Sequence, residues 1–133
     1  MATQRLASHH LATAPAGADL STKQFRLVKL NEAGKLVLAG AGDIAFSLQE
    51  NAPEGAQATY ANGGEPKAVA GGNIKAGQLV SAGAEGKLVA ATATVIEEEK
   101  VEALGSRVIG LAVEEAAAGE LARFLSTPTA GRA

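Results

Sequence analysis

The chain has 133 residues, among them thirty alanines and 16 glycines, with no cysteine, no tryptophan, one tyrosine and a formal net charge of −2. Without cysteine there is no disulfide framework, thiolate zinc centre or cysteine nucleophile. No stretch is apolar for the length of a membrane span, and charges scattered along the chain leave no electrostatic footprint for nucleic acid.

Residues 1–18 are rich in Ala, Thr and Ser, lack a regular period and contain Pro15 and Gly17. They read as a flexible N-terminal arm, mobile or laid on a neighbour. No apolar stretch of signal-peptide length stands near the N-terminus, so export is not expected. The fold is expected to begin near Asp19. Phe25–Leu30 forms a strand candidate, Asn31-Glu32-Ala33-Gly34 a turn, and Lys35–Leu38 the returning strand of a hairpin. A second turn follows at Ala39–Asp43, then a strand from Ile44 to Gln49, a turn at Pro53-Glu54-Gly55 and a strand from Ala56 to Tyr60. After Asn62-Gly63-Gly64 comes a short strand, Lys67–Ala70, closed by Gly71-Gly72. Glycine turns at such regular spacing predict an all-β sandwich or barrel.

An internal repeat organises the chain. Residues 27–37 align without gaps on residues 79–89, with Leu27/Leu79, Val28/Val80, Gly34/Gly86, Lys35/Lys87, Leu36/Leu88 and Val37/Val89 identical. Residues 49–60 match residues 113–124 through Glu50/Glu114, Ala52/Ala116, Gly55/Gly119, Ala58/Ala122 and the aromatic pair Tyr60/Phe124. The offset grows between these blocks, which puts an insertion in the second copy within 90–107. Its Val95–Leu104 stretch reads as a short helix or a solvated loop, with Gly105 as a stop. Leu111–Leu125 has helix-favouring Ala and Glu, yet Gly119 and the match to the Pro53-containing copy favour two strands around a turn. The expected organisation is therefore an arm at 1–18 and one β domain at 19–126, built from repeat units at about 19–66 and 67–126. A loose tail at 127–133 completes it. Two such units can pack face to face with approximate two-fold symmetry.

Few large apolar side chains are available. Leu, Ile, Val and Phe together number thirty, close to the composition of disordered chains. Such a chain gains stability from an oligomer or from a surface that it binds.

Candidate chemistry is sparse. His9 and His10 are adjacent, which does not converge on one metal ion, and they read as solvated arm residues. Glu97-Glu98-Glu99 lacks EF-hand spacing and reads as a solvated face. Gly63-Gly64 and Gly71-Gly72 fit neither phosphate-cradle pattern, and no serine stands in a nucleophile-elbow motif. No catalytic residue, cofactor site or metal site is expected. Lys35 and Lys87 each follow a hairpin glycine in a duplicated β-unit, the position of the modified lysine in biotinyl and lipoyl carrier domains. Neither has the Met-Lys-Met or Asp-Lys-Ala surroundings of those carriers, and a lysine in both halves fits a structural turn better. A β-sandwich module of a tail or adhesin complex is a further reading, but it calls for sugar-binding aromatics. Tyr60 and its repeat mate Phe124 both read as core.

The order of the pieces resembles the capsid decoration, or capsid cement, proteins of tailed bacteriophages. The stretch from Asp19 to Leu30 is similar to that family's opening, in which a Gln-aromatic pair (Gln24-Phe25) precedes a Val-Lys-Leu strand. Ile44–Gln57 resembles its Ile-Gly-Val-Leu-Gln-Asn segment followed by Pro and Gly, departing from it at Phe46 and by the extra Glu50. Val69–Val80 and Val108–Glu114 resemble its Gly-Gly-x-Ile-x-x-Gly-Asp-x-Val and Ile-Gly-Ile-Ala-Leu-Glu segments. The resemblance implies a virion protein without catalysis, made in the host cytoplasm and bound as a homotrimer to the outer surface of an icosahedral head. There it would tie major capsid protein subunits together and stabilise the mature shell. Arg5, Leu6 and Leu11 of the arm are the residues expected to order on the capsid.

Overall fold

The computed structural model describes residues 11–91 and 108–126. Among these residues there are ten strands: β1 (Leu11–Pro15), β2 (Leu27–Leu30), β3 (Leu36–Leu38), β4 (Phe46–Leu48), β5 (Gln57–Ala61), β6 (Lys67–Val69), β7 (Leu79–Ala82), β8 (Leu88–Ala90), β9 (Gly110–Ala112) and β10 (Leu121–Ser126). They form two antiparallel five-stranded sheets, ordered β1-β5-β4-β2-β3 and β6-β10-β9-β7-β8. The second order is the first, shifted by five strands, so the duplication read from sequence is a duplication of topology. Leu111–Leu125 folds as two strands around a turn, as its match to the first copy predicts. Of the stretch 90–107 in which the insertion is expected, residues 92–107 lie outside the described residues, as does the tail at 127–133.

The expected boundary at residue 18 is corrected. Leu11–Pro15 pairs along its whole length with β5, from Leu11 opposite Ala61 to Pro15 opposite Gln57. Residues 11–18 therefore belong to the first unit, and residues 1–10 lie outside the described residues. The missed signal is Ala14-Pro15-Ala16-Gly17, which repeats as Ala68-Val69-Ala70-Gly71. Pro15 is tolerated because it ends a strand at the edge of the sheet, where no ladder hydrogen bond from its nitrogen is required.

Each sheet closes on itself. Just past β1, Ala16 bridges Leu36 of β3 in parallel, and the Gly17 N–H donates to the Leu36 carbonyl at 2.7 Å. The second unit repeats this with Ala70 on Leu88 and the Gly71 N–H on the Leu88 carbonyl at 2.7 Å. Of the sandwich and the barrel, each unit is a small barrel. The closing contact needs glycine: a Cβ on Gly71 would stand 2.9 Å from the Lys87 Cβ. The far end of each barrel is clasped by a second bridge. Leu20 and Ala52 exchange backbone hydrogen bonds of 2.8 and 3.1 Å, and Ile74 and Ala116 exchange two of 2.9 Å.

A five-stranded barrel has a narrow interior, and this explains the alanine content. Inward positions in the first unit are filled by Val28, Leu36, Leu48 and Leu20, with Ala14, Ala16, Ala52 and Ala58 between them. The second unit centres on Phe124, Leu88, Ile74, Ile109 and Val80, again spaced by alanines. One polar group is out of place. The Ser81 side chain is buried, and its hydroxyl has no hydrogen-bond partner among the described residues. An unpaired buried hydroxyl costs about 1–3 kcal/mol. Ser81→Ala is therefore expected to raise stability by about 1 kcal/mol, read as a higher urea midpoint with unchanged slope.

The junction between the units is asymmetric. Leu27, Ala39 and Ala45 of the first unit belong to the apolar cluster of the second. The Ser47 hydroxyl donates to the Lys67 carbonyl, and the Val69 N–H donates to the Phe25 carbonyl at 3.0 Å. A 3-10 turn, Ala84–Gly86, presses on the first unit. There the Gly86 N–H donates to the Ala39 carbonyl at 3.0 Å, and the Arg26 guanidinium donates to the Glu85 carbonyl at 2.9 Å. Phe25 and Glu85 carry positive φ angles of 67° and 60°, a conformation that side-chain-bearing residues rarely adopt. Both strained residues sit at this junction. A two-fold contact would bury the same patch on both copies. Here Leu27 is fully buried, while its repeat mate Leu79 is 48% exposed. The expected two-fold, face-to-face packing is thus replaced by a head-to-tail arrangement, in which one face of the first unit meets a different part of the second.

Candidate interaction surfaces

Of the sequence-predicted contact residues, Leu11 lies within the described residues. Leu11 opens β1 and is exposed, standing opposite Ala61. Arg5 and Leu6 lie outside the described residues, as do His9, His10 and Glu97–Glu99.

The two hairpin lysines close their turns. The Lys35 N–H donates to the Asn31 side-chain oxygen at 3.0 Å, and its carbonyl accepts from the Asn31 N–H at 2.9 Å. The Lys87 carbonyl accepts from the Gly83 N–H at 2.7 Å, and the aliphatic stem of Lys87 lies over Gly71. In both, the lysine forms the base of the hairpin where it crosses the barrel seam. Tyr60 packs on the first core and tilts against Phe46, with ring centroids 5.3 Å apart, while Phe124 is fully buried. Among the described residues no group of three or more His, Asp or Glu side chains could hold a metal ion, and no helix is long and apolar enough to cross a membrane.

What the surface does offer is apolar. Leu11, Leu30, Leu79 and Leu125 are large hydrophobic side chains left substantially in water. Two of them belong to one row. Leu79 of β7 stands opposite Leu111 of β9, which stands opposite Leu125 of β10, so three leucines lie in register across three neighbouring strands. Sequence reading missed this row because its members are 32 and 14 residues apart and become neighbours only through strand pairing. A charged cluster borders the row: Arg123, two residues before Leu125 on β10, lies 3.8 Å from Glu65 and 3.9 Å from Glu114, while Lys29 reaches Asp43 at 3.0 Å on the first unit. Asp19 accepts from both the hydroxyl and the N–H of Ser21, at 2.6 and 3.1 Å, and these bonds hold its carboxyl below the ordinary value.

No protein-family model and no curated protein matches the chain. A solved structure does: the head fiber gp8.5 N base of bacteriophage phi29, with a TM-score of 0.62 and 21% sequence identity. The two share a fold. The match covers 88% of this chain and 92% of that chain, so it spans both repeat units and the junction between them.

Proposed function

We propose that this chain is a structural protein of a tailed-phage head. It decorates the outer surface of the shell as a homotrimer, binds the major capsid protein and stabilises the mature state by adhesion rather than by catalysis. The observation that carries the reading is the likeness over nearly the whole chain to the base of a phage head fiber. The order of motifs from Asp19 to Leu125 supports it independently. A pair of barrels that leaves a row of leucines exposed suits a body that is held by contacts. A trimer that engages several shell subunits converts weak single contacts into avidity. Binding only the expanded shell would shift stability toward that state by mass action. The carrier reading is less favoured, because Lys35 and Lys87 close their hairpins at the barrel seams.

The test begins in the genome, where a major capsid protein gene is expected close by. Heads assembled from that protein, expanded and unexpanded, are then mixed with the purified chain and sedimented. The chain is expected to pellet with expanded heads and to raise their disruption temperature; failure to pellet with either form overturns the reading. The role of Arg5 and Leu6 is read by deleting residues 2–10, which leaves β1 intact, whereas a deletion through residue 18 would remove a paired strand. Unchanged occupancy on expanded heads would remove the arm from the contact.

A further inference from the structure

We propose that the open leucine row of the second unit, Leu79–Leu111–Leu125, is a docking surface for a second copy of this chain. The copy would present the free end of its first unit, so that copies associate head to tail. The junction inside the chain supplies the template for this contact, independently of any role in a virion.

The repeat gives every junction residue a counterpart. In the first unit the outward row is Leu27, Ser47 and Ala61, in register across β2, β4 and β5. All three are fully buried, and the second unit holds them with Lys67 and Val69 of β6 and with the turn after Ala82. The counterpart row is Leu79, Leu111 and Leu125. It is more apolar than the row it repeats, yet Leu79 and Leu125 stand open to water.

The covering elements have counterparts too, and these lie in the first unit. Thr13 and Pro15 of β1 correspond to Lys67 and Val69, and the Asn31–Gly34 turn to residues 83–86. Leu30 corresponds to Ala82. Ala82 is buried, and its carbonyl accepts from the Gly42 N–H across the junction, whereas Leu30 is 43% exposed. Three of the four exposed large hydrophobics among the described residues therefore fall on two surfaces, Leu79 and Leu125 on one and Leu30 on the other. These two surfaces are related as the two sides of the junction already made within the chain. Covering one row with a second copy would repeat the packing of that junction with apolar contact in place of two of its hydrogen bonds, because Pro15 has no N–H to match that of Val69 and Leu111 no hydroxyl to match that of Ser47. A head-to-tail contact of this kind closes into a ring if the rotation per copy divides a full turn, and otherwise runs on as a filament.

Sedimentation velocity of the full chain over a concentration series provides the test. The wild-type chain is expected to exceed monomer mass as concentration rises. Leu79→Asp/Leu125→Asp blocks one surface and Leu30→Asp the other, so each variant alone is expected to stay monomeric. A mixture of the two is expected to form a one-to-one complex, because each supplies the surface that the other has lost. All three positions are exposed, and far-UV circular dichroism checks that the variants fold. Because the chain has no cysteine, Leu30→Cys/Leu79→Cys gives a second readout. Oxidation is expected to link copies through one cysteine of each kind, and Leu79→Cys alone to give no dimer. The proposal is overturned by a wild-type chain that stays monomeric, by a Leu30→Asp variant that still self-associates, or by disulfide dimers of Leu79→Cys alone.

Discussion

Replacing Gly86 by alanine is expected to destabilise the protein by about 3 kcal/mol or more, while the same change at its repeat mate Gly34 costs about 1–2 kcal/mol. Both glycines close a Gly-Lys hairpin and both have positive φ, 70° and 77°. The backbone strain of an added Cβ is therefore shared. Their surroundings differ. A Cβ at Gly34 meets nothing within 4 Å. At Gly86 it would lie 2.6 Å from the Leu27 carbonyl oxygen and 3.0 Å from a Leu38 methyl group. The nearest obstacle is backbone, which cannot turn aside as a flexible side chain can. The first unit would have to shift, and the Gly86 N–H bond to Ala39 would lengthen or break. Urea unfolding of the two variants beside the wild type measures the difference. Equal losses would show that the turn does not press on the first unit.

Phe124→Ala is expected to cost about 3–5 kcal/mol, and Tyr60→Ala clearly less. These two aromatics occupy equivalent positions on β10 and β5. Phe124 is the largest fully buried side chain among the described residues and fills the second barrel, in a cluster whose other members are mostly alanines. Alanine neighbours have no length with which to refill a cavity, so the lost volume stays lost. Tyr60 lies at the margin of the first core against Phe46 and is only partly buried. Truncation there opens a site that water already reaches. Domains are stable by only about 5–15 kcal/mol, so Phe124→Ala is expected to lower the thermal midpoint sharply. Both differential scanning calorimetry and tryptophan-free far-UV circular dichroism can follow it. Equal effects at the two positions would contradict the difference in burial.

The aromatic pair also illustrates what could be read in advance. Tyr60 and Phe124 were placed on matching strands by the block around Gly55 and Gly119, and strands β5 and β10 do match. The turn between β9 and β10 was legible for the same reason. A helix there is favoured by Ala and Glu, but the first copy contains Pro53, and the two copies share one topology. β1 was not legible as a strand. Leu11-Ala12-Thr13-Ala14-Pro15 has no contrast between large apolar and polar side chains, so its alternation is invisible. It is a strand because β5 offers it a ladder and because a barrel interior accepts Ala14 and Ala16. The leucine row was hidden in a similar way, since it is assembled from strands distant in sequence.

Local chain chemistry alone settles the all-β class, the duplication and the hairpins with their glycines. Turn-forming residues and repeated blocks act over a few neighbours, and those neighbours are written next to each other. The closure of each sheet into a barrel and the inclusion of β1 were decided only in three dimensions. So were the opposite fates of Leu27 and Leu79. Those two residues are identical and open aligned blocks of the repeat, each followed by valine, yet one is sealed and the other stands in water. Burial of an outward face is a property of what packs on it, and head-to-tail stacking covers such a face on the first unit while leaving its repeat open on the second.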